Sequence, residues 1–598
     1  MGKMIPTRIA RLREEMKKRN ISIYVIPTSD FHESEYVGEY FKARKFMTGF
    51  TGSAGTAVIT MEEAGLWTDG RYFVQAAEQL KDSTVTLYKM GEPGVPTVDE
   101  YIMDTLKNGE TLGFDGRVVN SQWGKKLEKI AEEKQANLYV DEDLVDFVWE
   151  DRPAMSCEPV MILKEEYSGK STAEKIADVR KVMKEKHADI HLISSLYDIA
   201  WLLNVRGGDI SHVPVVLSHL ALMEDSCLWF LQEKALTPEI TAYLKENGVE
   251  IRPYDSFYTY VKEISEDKTV LMDESILNYR ICSSIPKNVK IVNEANPSEL
   301  MRSMKNETEM KNTRNAHIKD GVAMCKFMYW LKKNVGTIPM TEISVSDYLA
   351  ELRAQQEGFL DLSFDTISAY GAHGALCHYS ATEESNAKIE PEGFLLVDSG
   401  GHYLDGTTDI TRTFALGALT EEMKENFTRV CRGMLNLANA KFQYGCTGRN
   451  LDYLARSPLW EVNLDYNHGT GHGVGHILNV HEGPQGIRWR MIAGVVEQPL
   501  EEGMITSDEP GLYLEGKYGI RTENELLCLK GTKNEYGQFM YFENLTLVPI
   551  DLDAIVPEQM SDDEKRRLNA YHAEVFRVIS PYLTEEEALW LKEYTREI

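Results

Sequence analysis

Apolar positions recur along this chain with two periods. Ile9, Leu12 and Met16 fall at helical spacing, and the β-branched run 21–26 that follows is ended by Pro27. Residues 46–52 read as turn-rich, and short strands are expected at 55–60 and 65–69, the second closed by Gly70. This alternation predicts an α/β domain over residues 1–155. From Arg152-Pro153 to Gly169 the periodicity is lost and a linker is expected. A second block then echoes the first: Ile9-Ala10-x-x-Arg13-x-x-Met16-Lys17 is matched by Ile176-Ala177-x-x-Arg180-x-x-Met183-Lys184, an offset of 167. Each of these helices runs into an apolar strand, 21–26 in one and 190–193 in the other. Two tandem copies of one α/β domain, over 1–155 and 156–310, account for the echo.

Beyond residue 310 the pattern changes. Helices are expected at 313–334, at 341–357 with Gly358 as the stop, and at 420–443, where Thr420 caps and Glu421 and Glu422 fill the first turn. Strands with Gly and Asp-Gly turns are expected over 394–415 and 504–529, and charged helix returns from Asp551 onward. The fold class is therefore mixed α/β (α+β), with 311–598 as a third domain. The chain's 598 residues hold 43% hydrophobic and 27% charged positions, which excludes disordered and fibrous classes. Lys and Arg number 65 against 94 Asp and Glu, a formal net charge of −29 that repels phosphate backbones and anionic lipid, so neither nucleic acid nor membrane is an expected partner. No signal-peptide pattern opens the chain, no long apolar run spans a bilayer, and the eight cysteines never form a CxxC pair. These features imply a cytoplasmic protein with isolated thiols.

Most of the polar chemistry lies in 378–523. The apolar run 394–397 stops on Asp398, and Gly400-Gly401 and Asp405-Gly406 are turn signals, so Asp398 and Asp409 can sit on neighbouring antiparallel strands and aim at one point. Alternatively both are strand-end aspartates bonded to backbone amides. His468, His472 and His476 are separated by glycines that disfavour helix; in an extended chain they share a face, leaving bare backbone on the other for something to pack against. Glu515-Gly516 falls midway between Glu509 and Glu523, so a second hairpin can bring those two together, with Asp508 on the opposite face. Glu525 shares the face of Glu523, and parity alone leaves it open as a site residue. Asp398, Asp409, His472, Glu509 and Glu523 thus form one set. Four negative charges in a pocket require compensation, which two divalent cations supply while readying a shared water for attack. Oxygen-rich ligation with one imidazole favours Mn2+ or Co2+, with Zn2+ as an alternative.

The order Asp398-x10-Asp409, His468-Gly-Thr-Gly-His472-Gly-Val-Gly, Glu509-Pro-Gly, Arg521-Thr-Glu523-Asn resembles the pita-bread metallopeptidases, the group of methionine aminopeptidase, prolidase and aminopeptidase P. Trp67-Thr-Asp-Gly-Arg71-Tyr-Phe, Asp361-Leu-Ser-Phe-Asp and His481-Glu-Gly-Pro are similar to the long, three-domain aminopeptidase P type. The resemblance implies two creatinase-like N-terminal domains, a pita-bread catalytic domain and two metal ions, usually Mn2+. It implies that Asp398 binds one ion, Asp409 and Glu523 bridge, and His472 and Glu509 complete the second site. His378, His468 and His481 would position substrate and stabilise the tetrahedral intermediate, Glu509 would handle the proton of the attacking water, Arg71 would contact substrate and Arg521 would orient a carboxylate. Peptides with proline second are the implied substrates and a homodimer the implied assembly; prolidase-type dipeptide cleavage, or peptide capture without catalysis, is the alternative. The chain departs from the pattern with Ser-Ala-Thr after His378-Tyr379, with the extra imidazole His476 and with the extra acid Glu525.

Overall fold

The computed structural model describes residues 4–491 and 496–598, which divide into two compact units: 4–162 with 170–298, and 163–169 with 299–598. The N-terminal unit contains two six-stranded sheets of one topology. The first runs in the order Thr86–Lys89, Ala64–Thr68, Thr56–Thr60, Ile23–Pro27, Thr111–Phe114, Asn137–Tyr139, and the second Val249–Pro253, Cys227–Leu231, Ser218–Met223, Ile190–Ile193, Thr269–Met272, Lys290–Asn293. Parallel and antiparallel pairings correspond strand for strand. The opening helices Ile5–Lys18 and Thr172–Glu185 are each 14 residues long and carry the repeated motif. Its arginines do the same work: Arg13 Nε donates to Thr60 O and Arg180 Nε to Met223 O, both at 2.8 Å and both at the end of the equivalent strand. Apolar residues fill both faces of the first sheet, Leu12, Met16 and Leu66 on one side and Val25, Leu112 and Phe114 on the other, as expected of strands covered by helices.

Local differences from the sequence reading have simple causes. Residues 43–48 form a short helix that runs into the first residues of the stretch 46–52 read as turn-rich, stopped by Gly49 in the left-handed region at φ +77°. The expected linker contains a strand, Met161–Ile162, and a helix, Glu165–Ser168. The helix expected over 420–443 ends at Ala438; Lys441–Gln443 is a strand paired with Gly537–Asn544, because Phe442 is buried between two exposed neighbours, the period of a strand.

In the second unit two helix pairs carry the strands. Glu307–Asn334 and Glu342–Ala354 bury Phe327, Leu331 and Leu349 against Leu395 and Val397 of the strand Phe394–Ser399; Glu421–Ala438 and Gly448–Trp460 bury Phe427, Met434 and Leu459 with Ile520 and Leu526. Asn306 and Glu309 form a capping box that starts the 28-residue first helix. Ahead of the metal-binding candidates, Asp320 on that helix is gripped by Arg353 at 2.7 and 3.1 Å and accepts Tyr403 Oη at 2.8 Å, all three being buried. Replacing Arg353 by Met leaves Asp320 in the interior without its cation and is expected to destabilise this unit by about 3–5 kcal/mol in urea unfolding. A loss below about 1 kcal/mol would assign the pair no such role.

Candidate metal centre

Strand Phe394–Ser399 is buried throughout and pairs antiparallel with Ile410–Ala415 in the register Asp398↔Thr411, the chain doubling back through Gly401–Tyr403 and Gly406–Thr407. Asp398 therefore stands opposite the strand that Asp409 introduces. Strand Ile505–Asp508 pairs with Asn524–Asn534 in the register Asp508↔Asn524, and between them Gly511–Leu514 pairs with Tyr518–Arg521, Gly511 facing Arg521. Glu509 and Glu523 consequently face each other at the foot of a hairpin. The short strand Gly471–Gly473 lies beside Ile505–Asp508 so closely that a Cβ on Gly471 would come within 1.8 Å of Ser507 O, which only glycine permits.

Asp409, His472 and Glu523 each direct a ligand atom into a group spanning no more than 4.8 Å. His472 Nε2 lies 3.4 Å from Asp409 Oδ2 and 3.5 Å from Glu509 Oε1, while Nδ1 lies 2.9 Å from Gly473 O. With Nδ1 donating to that carbonyl, it is Nε2 that faces the acids, and the neutral ring would offer its lone pair there. Asp398 Oδ2 accepts Arg521 Nη2 at 2.5 Å, and its buried Oδ1 has no partner among the described residues. Burial, and then the charges of Asp409, Glu509 and Asp398, hold the Glu523 carboxyl well above the usual range. Burial pushes Glu509 up to about 7, opposed by His472 and Arg521. Asp409 is raised by burial and by Asp398. Burial works against protonation of His472, yet its bond to Asp409 and the charge of Glu509 push it up to about 10. Acids that cannot ionise together, an imidazole lone pair among them and an orphaned carboxylate oxygen fit divalent cations.

Two of the other candidates in this unit connect to the group, His481 directly and His468 through Tyr513 and Arg521. The His481 ring lies edge-on to His472, centroids 4.3 Å apart. His468 Nε2 is 2.8 Å from Tyr513 Oη, which accepts Arg521 Nη1 at 2.7 Å, so His468, Tyr513, Arg521 and Asp398 form one chain of contacts. The carboxylate that Arg521 orients is thus Asp398. His378 follows Cys377 in a segment held against the Arg521 strand, since a Cβ on Gly519 would meet Gly374 O at 1.7 Å. Arg71, in the N-terminal unit, is held in a two-pronged bond by Asp69 at 2.9 and 2.8 Å. One expectation fails: His468, His472 and His476 do not share a face. The extended run lasts only three residues, its pairing slips after His472, and Ile477 turns the chain at φ +52°. His476 instead bonds Thr313 Oγ1 and Tyr167 O, each at 3.2 Å. The open question of Glu525 resolves as support: it accepts Asp409 N at 2.6 Å and lies 3.3 Å from His317 Nε2. Asp508 is buried beside Glu509 and, as parity predicts, faces away toward Ala438. Tyr513, Ser507 and Thr411, whose hydroxyl gives Glu523 Oε2 a 2.7 Å bond, escaped the sequence reading; the hairpin parity that aligns Tyr513 with Arg521 was the available signal for the first.

The carboxylate–imidazole group of Asp409, His472 and Glu523 is that of a metal-dependent hydrolase, and comparison with known families gives its class as metallopeptidase. The chain matches the Creatinase/Prolidase N-terminal domain at residues 8–142 and again at 151–309, Metallopeptidase family M24 at 311–530 and the C-terminal region of peptidase_M24 at 538–598. It is 40% identical to the probable Xaa-Pro aminopeptidase P of Talaromyces marneffei over 98% of this chain and 92% of that one, and 40% identical to aminopeptidase P2 of Arabidopsis thaliana over 95% and 85%. A solved X-prolyl aminopeptidase from Caenorhabditis elegans, described as a cytosolic enzyme with a di-nuclear active site, superposes with a TM-score of 0.94 at 36% identity over 99% of this chain and 100% of its own. The prolidase of Pyrococcus horikoshii covers 63% of this chain with a TM-score of 0.50 and 26% identity. The chain belongs to the Xaa-Pro aminopeptidase P family of M24 metallopeptidases.

Two outcomes follow for the metal centre. Asp409→Ala and Glu523→Ala should each abolish Mn2+ uptake, measured by elemental analysis after dialysis. In the metal-free protein His472 carries a proton below about pH 10. Ligation needs it neutral, so Mn2+ binding should release protons at pH 7–8 and tighten as pH rises, checked by titration calorimetry in buffers of different ionisation enthalpy.

Proposed function

We propose that this protein is a metalloaminopeptidase that hydrolyses the bond between an N-terminal residue and a following proline, releasing the first residue. The observation that carries the reading is the convergence of Asp409, His472 and Glu523 in a chain similar over nearly its whole length to Xaa-Pro aminopeptidases. The same proposal takes 1–155, 156–310 and 311–598 as three domains, the last carrying the chemistry. Asp398, Asp409, His472, Glu509 and Glu523 would hold two divalent cations, Mn2+ being our assignment. Those cations would polarise the scissile carbonyl and lower the pKa of the attacking water.

The chain's own groups then divide the work. Glu509, whose carboxyl sits near neutrality without metal, is the group placed to accept and return a proton. His481, edge-on to His472, and His468, tied to Tyr513, are assigned to positioning the substrate and steadying the developing oxyanion. Arg521, donating to its Oδ2, keeps Asp398 aimed. His378 and Arg71 are assigned to substrate. An X–Pro amide has no N–H and a fixed φ, so a site that grips the free amino terminus and cradles the ring succeeds where a site built to bond that N–H fails.

A cytoplasmic location is in keeping with eight free cysteines. Among the described residues no helix is long and apolar enough to cross a membrane. A homodimer is the assembly we propose; the exposed rings of Tyr453, Trp460 and Trp489, successive centroids 5.9 Å apart, offer it an apolar surface on the second unit.

Assayed side by side with Mn2+, an Xaa-Pro-Xaa tripeptide should be cleaved to free Xaa; turnover of the Xaa-Pro dipeptide alone would transfer the protein to the prolidase reading. His481→Ala should lower kcat by about 10²–10³-fold with both ions still bound, and loss of metal in that variant would make His481 a ligand instead.

A further inference from the structure

The five candidate ligands do not share one sheet. Asp398 and Asp409 belong to the sheet Ile367–Tyr370, Phe394–Ser399, Ile410–Ala415, whereas His472, Glu509 and Glu523 belong to the six-stranded sheet of Ile505–Asp508 and to the hairpin beside it. The spacing of any metal centre built from both is therefore set at the seam between them. Regular pairing does not close that seam; isolated bonds do, among them Glu523 N to Thr411 O at 3.1 Å, and Thr413 Oγ1, which accepts Arg521 N at 3.1 Å and donates to Arg521 O at 3.0 Å.

At its centre lies Arg412, 2% exposed. Nη1 donates to Thr411 O at 2.9 Å and to Glu523 O at 2.6 Å, one carbonyl from each side. Nη2 reaches Asn524 Oδ1 at 2.7 Å, Val548 O at 2.9 Å and Tyr571 Oη at 2.9 Å, and Nε reaches Pro549 O at 3.3 Å. Among the described residues every acceptor is a neutral oxygen, and all five N–H groups of the guanidinium are used. Tyr571 comes from the C-terminal helix Asp562–Ile579 and also donates to Val548 O at 2.8 Å. Glu523 is thereby fixed at its amide, its carbonyl and one carboxylate oxygen, which leaves the other oxygen for a ligand.

We propose that Arg412 is a positioning residue that sets the distance between the two ligand-bearing sheets, and that Tyr571 holds it there, making the C-terminal helical region part of the metal-binding apparatus. This rests on the metal-centre reading above. Lysine cannot replace Arg412, because one ammonium with three donors does not span carbonyls on both sides of the seam.

The test uses the full chain, with Mn2+ alone as the probe in titration calorimetry, alongside circular dichroism and thermal unfolding. Wild type should bind two ions. Arg412→Lys should weaken at least one by about 10–100-fold, and Tyr571→Phe, which removes a single hydroxyl, by about 3–10-fold, with native dichroism in both. Folded variants with wild-type affinity for both ions, whatever their melting temperature, would overturn the proposal. If Arg412→Lys does not fold, the affinity of Tyr571→Phe decides. A wild-type chain that takes up no Mn2+ would overturn the metal-centre reading, and this proposal with it.

Discussion

Carboxylates crowded around one buried point repel one another, and in the second unit that repulsion governs much of the surrounding structure. Burial and mutual charge raise Asp409, Glu509 and Glu523 together, while Arg521, bonded to Asp398, offsets only part of the rise at Glu509. The neighbouring backbone is arranged around this tension. Gly473 O fixes the His472 tautomer, Ser507 Oγ accepts the His472 amide at 3.0 Å, and Glu525 accepts the amide of Asp409. Such supports keep acidic side chains from relaxing apart, which is what a site for two cations needs before the cations arrive.

The N-terminal unit follows another logic. Its two sheets repeat one order, and the repeated arginine closes the same strand end in each, so the duplication extends to the way a helix is fastened to its sheet. Differences between the halves lie elsewhere. Arg71 and Asp69, paired with each other in the first half, belong to the stretch Trp67-Thr-Asp-Gly-Arg71-Tyr-Phe.

How much could be read from residues alone depended on range. The two hairpins that gather Asp398 with Asp409 and Glu509 with Glu523 were legible because their turn residues sit midway between the acids, and parity did the rest. The tandem domains were legible through a single repeated helix. Parity misled at His476, where an assumed extended chain lasts only three residues. It was silent on Glu525, whose fate is fixed by His317 on a helix some two hundred positions earlier. Arg412 drew no attention in the sequence, since four of its six acceptors are backbone carbonyls, which leave no trace in side-chain identity.

Residues 163–169 are separated by more than a hundred positions from the unit they join, and this makes the catalytic module discontinuous along the chain. Tyr167 O accepts His476, Ser168 O accepts Asn306 Nδ2 and Glu166 O accepts Asn312 Nδ2. On the other flank Arg302 Nη1, at 2.6 Å, and Lys305 Nζ both grip Glu482, the neighbour of His481, in a buried cluster. A fragment cut at residue 311, where the matched peptidase segment begins, would discard both fastenings and strand Glu482 uncompensated in the interior. No single excision from the front of this polypeptide can liberate its hydrolytic half intact; the chain must be kept whole, or the strap of 163–169 grafted back.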